Sequence, residues 1–179
     1  MNDEQVLSFW FEDIDPSKWW VKDIAFDQLI KDKFQDLHQK ANQCELAPWR
    51  QSAKGRLAEV IVLDQFSRNM YRDTPQAFAS DSLALALSQE AIALAMDKEL
   101  NPLERSFLYM PFMHSESRYI HTLAVELYKN NGIASNLDFE LKHQEIIEKF
   151  GRYPHRNDIL GRESSQAEIV FLQQPGSSF

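Results

Sequence analysis

Asp64 interrupts an apolar run, LAEVIVLDQF from Leu57 to Phe66. If that run is helical, Arg68 follows one turn later and Arg72 two turns later on the same face. A carboxylate in such surroundings needs a cationic partner, because an unpaired buried charge is costly. The pairing would either orient two structural groups or hold a general base beside an arginine. Arg68-Asn69, followed by Arg72-Asp73-Thr74, has a weak echo in Arg156-Asn157, followed by Arg162-Glu163-Ser164. Acids and hydroxyls in such places can cap helices while arginines tie loops to helix ends. The functional alternative is a pocket for an anion where the two loops converge, since the planar guanidinium fork suits a carboxylate or phosphate. No lysine lies between Gly55 and Asp97, and the connection from Gly151 to Glu163 contains Arg152, Arg156 and Arg162 but no lysine.

His114, Glu116, Arg118 and His121 follow Pro111, where a kinked helix frees a carbonyl and can open a cavity. His114 and His121 are seven residues apart, roughly 10.5 Å along a helix, too far to share one ion. A zinc site would need His143 or His155 folded back beside His114. With no HExxH or H-x-x-x-H pattern, neither a metal nor a cofactor is expected. There is no GxGxxG, no P-loop and no GxSxG elbow, which disfavours dinucleotide and nucleophilic enzymes. Cys44 has no base beside it and reads as a small, half-buried hydrophobe; His38, on a charged helix, reads as solvated.

The chain has 179 residues, 44% apolar and 26% charged, which fits one globular domain over 1–179 with a sizeable core. A formal charge of −8 sets a potential that repels phosphate backbones, so no nucleic-acid partner is expected. The single cysteine excludes an intrachain disulfide and suits a reducing compartment. The N-terminal MNDEQVLSFWFEDIDP carries acids where a signal peptide carries lysines, and no apolar run nears the ~20 residues of a membrane span. A cytoplasmic location without membrane attachment is therefore expected. Nothing in the sequence signals an oligomeric state.

Positioning these residues calls for helices. Asn2 and Asp3 can cap a short one carrying Val6, Leu7, Phe9, Trp10 and Phe11, ended by Asp15-Pro16. A second, from about Asp23 to Gln43, buries Phe26, Leu29, Ile30, Phe34 and Leu37. Leu57 to Phe66 is apolar nearly all round, and with no second strand candidate it is predicted helical. Thr74-Pro75 opens a long helix to about Met96, and Asn101-Pro102-Leu103-Glu104 opens another that Pro111 kinks or restarts near Met110 before it continues to Asn130. Another helix covers about Asn136 to Phe150, and Ser165 with Glu168 caps the last, which ends before Pro175-Gly176. About eight helices with short links imply antiparallel hairpins.

Several long motifs carry a family resemblance: VLSFWF, WWVKDIAFDQLI, LAEVIVLDQFSRNMYRDTPQAFASD, ERSFLYMPFMHSE, FGRYPHRNDILGRESSQAEIVFL and the terminal PGSSF. Together they span nearly the whole chain, which resembles the bacterial domain-of-unknown-function 924 family. The resemblance implies an all-α fold of antiparallel hairpins in a tetratricopeptide-like right-handed array, with no established activity, cofactor or catalytic residue. Ser67 and Asp73 stand where many relatives carry proline and glycine, and SRYIHTLAVELY replaces a more acidic stretch. Asp64, Arg68, Asn69, His114, Glu116, Arg152, His155, Arg156 and Asn157, which lie inside matching motifs, therefore rank ahead of Arg118 and His121, and Arg72 joins them as a ligand-binding candidate.

Three functions follow. A binding module would hold a small anionic ligand or acidic peptide against the arginines. An enzyme would run acid-base chemistry with His114, Glu116 or His155 in the same pocket. A structural partner protein would show an exposed apolar patch.

Overall fold

The N-terminal aromatic stripe forms α1 (Asp3–Ser8), started by a capping box between Asn2 and Gln5, and a π turn (Phe9–Asp13) continues it. The computed structural model describes residues 1–177; Ser178 and Phe179, the end of the PGSSF motif, lie outside the described residues. Asp23 caps α2 (Ile24–Asn42), whose buried stripe is Phe26, Ile30, Phe34 and Leu37. Leu29 falls at the edge of that stripe and is 49% exposed, against expectation. His38 corrects another expectation: it is buried, with Nε2–H donating to Ser67 Oγ at 2.7 Å. Cys44 is exposed, in the left-handed region at φ 58, where the chain turns after α2.

Ser52 caps α3 (Ala53–Ile61), which passes through a π turn (Val62–Phe66) into α4 (Ser67–Met70) without interruption. Nearly every residue of this rod from Leu57 to Phe66 is buried, as an apolar run all round requires. Asp73, where the resemblance places a glycine, has φ 60, a conformation glycine adopts without strain. The long helix predicted from Thr74 begins later. Thr74 supplies no side-chain cap, a 3-10 turn (Pro75–Ala77) leads into further turns, and α5 spans Asp81–Ala93.

A capping box between Asn101 and Glu104 starts α6 (Pro102–Met113). Pro111 does not end the helix at Met110: sitting in the last turn, it removes one N–H from a helix about to stop, and the break falls at His114–Ser117. Then come α7 (Arg118–Asn131), α8 (Ala134–Phe150) and, after the polar connection, α9 (Gln166–Leu172), with the predicted box between Ser165 and Glu168. With α3 and α4 taken as one rod, the described residues form eight helices and no strand. None of these helices is long and apolar enough to cross a membrane.

Consecutive helices pack as hairpins from α5 through α8, while α1 lies on α3, and α2 on α4 and its π turn. The rod also meets α5 and α6. Around it the aromatic rings interlock, with Phe34 and Phe66 centroids 4.5 Å apart and Trp10 5.5 Å from Phe66. Burying each such side chain contributes roughly 2–3 kcal/mol. The rod is thereby held on several sides, which fixes the direction of the one carboxylate in its π turn.

Candidate functional site

Asp64 sits in the middle of the π turn (Val62–Phe66) and is fully buried. A π turn takes in an extra residue and shifts the phase of everything after it; such turns recur at functional sites. The Asp64 carboxylate is surrounded by donors. Gln65 Nε2 donates to Oδ2 at 2.6 Å, His114 Nδ1–H to Oδ1 at 2.7 Å, and Arg68 Nη1 lies 3.1 Å from Oδ1. Burial alone would raise its pKa, but Arg68, His114 and Gln65 outweigh that and hold it well below the ordinary carboxylate value.

Arg68 is engaged on two sides: it also grips Asp81, in the first turn of α5, with both terminal nitrogens at 2.9 and 3.0 Å. Arg156, from the polar connection, approaches the same Asp81 only at 3.5 Å and donates to the His114 carbonyl at 3.1 Å. Its guanidinium lies between two rings, 4.6 Å from the centroid of Phe78 and 4.5 Å from that of Tyr153. Its Nε is buried without an acceptor. Burial and the nearby charge of Arg68 lower its pKa, although guanidinium remains cationic at neutral pH.

Of these groups Phe78, Asp81, His114 and Arg156 line a pocket of about 330 Å³. Phe78, Leu85, Pro111 and Leu160 supply its apolar wall, and Asp81, His114, Glu116 and Arg156 its polar one. His114 is held there as the C-cap of α6, and 16% of its side chain remains exposed. Burial, then the charge of Arg68, lowers its pKa below the ordinary histidine value despite Asp64, so the ring is neutral at pH 7. Glu116 accepts from Tyr153 N at 2.8 Å and from both Arg162 terminal nitrogens at 2.6 and 2.9 Å. Arg162 and the hydrogen bond to Tyr153 N hold Glu116 ionised against its burial.

Of the residues singled out by sequence, His114, Glu116 and Arg156 line this pocket, while Asp64 and Arg68 back it through their contacts with His114 and Asp81. Asn157 stands just behind, accepting from Arg162 Nε at 3.0 Å and donating to Ser164 Oγ at 3.0 Å. The ring of His155 lies 5.5 Å from that of Tyr153, and burial followed by Arg156 lowers its pKa to about 4. Arg72 lies beyond the end of α4, off the Asp64–Arg68 face, and with Asn69 holds Asp27 of α2 at 2.6 to 2.8 Å. Arg152 pairs with Glu168 at 2.7 and 2.8 Å, securing the start of α9. Sequence spacing missed Asp81, Phe78 and Tyr153; an acid in a first helical turn was the signal available for Asp81.

A second, larger hollow of about 610 Å³ lies between α8 and the C-terminal turn, with Phe139, Phe150, Phe171, Lys142 and Lys149 around it.

Sequence and structure comparisons agree on kinship. Residues 6–176 match the family described as Bacterial protein of unknown function (DUF924), and the chain belongs to that family. It is similar to a solved protein of unknown function, ATU0120 from Agrobacterium tumefaciens, at 37% identity, with a TM-score of 0.91 and 96% of each chain covered. No curated protein matches.

Proposed function

Membership of a family without an assigned activity leaves the pocket's own chemistry to decide, and we propose that this helical domain binds a small anion with an apolar flank between α5, the end of α6 and the Gly151–Glu163 connection. The observation that carries this reading is Arg156. It is 6% exposed, stacked between two rings, and left with a 3.5 Å ion pair, while Arg68, Arg72, Arg152 and Arg162 each make a two-pronged carboxylate contact. A buried guanidinium so weakly neutralised favours an incoming carboxylate or phosphate. Phe78, Leu85 and Leu160 suit the ligand's carbon skeleton. Arg72, Asn69, Arg152 and Asn157 serve this reading by fixing the surrounding loops, and His155 by its place beside Tyr153.

The reading needs no metal, cofactor, nucleic acid or membrane, and the exposed Cys44 thiol suits a cytoplasmic setting. Calorimetric titration with succinate, benzoate and inorganic phosphate tests it. At least one should bind, and Arg156→Met should weaken it about tenfold or more. A silent panel, or equal binding by Arg156→Met, would overturn the proposal.

The hollow beside α9 favours a second reading, as an interaction domain. Phe139 is 51% exposed beside Lys142, an amphipathic surface suited to an acidic peptide.

A further inference from the structure

Building on the anion pocket, we infer that His114 is the proton acceptor in hydrolysis of an acyl ester that carries a second carboxylate, with Asp64 as its positioning residue. An ionised carboxylate has no proton to give, so the 2.7 Å contact to Asp64 Oδ1 places the ring proton on Nδ1. The lone pair of the neutral ring is then on Nε2. That nitrogen makes no hydrogen bond among the described residues, and its ring forms part of the pocket wall. A base oriented by a buried carboxylate, with its second nitrogen free, is the arrangement used by hydrolases of unrelated folds.

Another histidine provides the contrast. His121 is also paired with a carboxylate, Glu140, at 2.6 Å, but it is fully buried and its Nε2 is occupied by the Ser115 carbonyl at 2.8 Å. His114 has what His121 lacks, a second nitrogen without a hydrogen bond on a residue that lines a cavity. The adjoining Arg156 would hold the distal carboxylate of the ester.

In the step itself, Nε2 takes a proton from a pocket water as the water oxygen bonds to the acyl carbon. The C–O bond to the leaving group then breaks, and the proton on Nε2 passes to the departing alkoxide. Ester and water become acid and alcohol, and His114 is neutral again. Asp64 stays ionised throughout, fixing the tautomer and steadying the transient imidazolium.

The probe is 4-nitrophenyl hydrogen succinate, followed at pH 7 by nitrophenolate release, with succinate binding measured in parallel. The native protein should exceed the buffer rate about 100-fold. His114→Gln, which retains a donor for Asp64, should fall to the buffer rate. A native rate equal to buffer, or an unchanged His114→Gln rate, overturns the inference; if succinate still binds, the pocket reading stands alone. If succinate, benzoate and inorganic phosphate all fail to bind, both fall. Should His114→Gln not fold, nitrogen NMR of the native protein decides: a His114 proton on Nδ1 alone at pH 7 is expected, and one on Nε2 overturns the inference.

Discussion

The Nδ1–H of His114 donates to Asp64 Oδ1 at 2.7 Å, joining residues 50 apart in sequence across the packing of the central rod on α6. Because Asp64 also carries Arg68, one carboxylate organises a cation, a neutral imidazole and, through Arg68, the Asp81 carboxylate. The polar cluster should therefore respond as a unit.

Asp64→Asn removes the charge that Arg68 and His114 share. Arg68 keeps Asp81, so the loss should be moderate, about 2–4 kcal/mol by urea denaturation. A change below about 0.5 kcal/mol, the range of a neutral surface substitution, would show that the cluster is uncoupled from folding.

Arg72 and Asp27 should behave differently, as a local tie. A double-mutant cycle with Arg72→Ala and Asp27→Ala should give a coupling of about 1 kcal/mol, since Arg72 keeps 29% of its side chain exposed and solvent screens the pair. Succinate affinity should not follow it. If Arg72→Ala weakens binding as much as Arg156→Met, the tie is part of the pocket.

Acid should unfold the protein in two stages. Burial lowers His143 to about 3, and burial with Arg156 lowers His155 to about 4, both below the ordinary 6.5. Between those values the unfolded chain binds more protons than the folded one, so stability falls as pH drops from 6.5 toward 4. Each proton contributes a slope of at most about 1.4 kcal/mol per pH unit. Glu140, raised by burial, opposes this above its ordinary 4.5, because its neutral form favours the fold until pH rises through its folded pKa. Lower still, Asp64, Glu116 and Glu168 lose their ion pairs as pH falls through their depressed pKa values, Glu168 near 2. Melting temperatures from pH 7 to 4 check the first stage; a flat profile contradicts it.

Gly55→Ala should destabilise the chain, though alanine is the better helix former by about 1 kcal/mol. A Cβ on Gly55 would come within 2.0 Å of the Trp49 carbonyl oxygen. The net loss should be about 1–3 kcal/mol by thermal denaturation. A stabilised variant would mean that the Trp49 turn gives way.

The all-helical order was legible because caps and periodicity are local. Asn2, Asp23, Asn101 and Ser165 all cap as their types predict. Asp64 was legible because a charge in an apolar run needs partners. Its continuation to Arg72 was not, since a uniform helix was assumed where the π turn alters the phase and α4 stops at Met70. His38 was misplaced for a tertiary reason: its partner Ser67, 29 residues away, binds back to the Leu63 carbonyl and turns a solvated position into a buried one. Phe78 and Tyr153 look like ordinary core rings in sequence, and only their convergence on Arg156 gives them a polar task.

The extra residue at Val62–Phe66 makes the rod two screws cut out of step. Were those residues to wind as a regular α-helix with none removed, the following segment would swing by roughly 100° relative to the preceding one. Arg68 would turn away from Asp81, and Phe66 from the aromatic interlock. The frame of that single coil therefore ties core and hollow together.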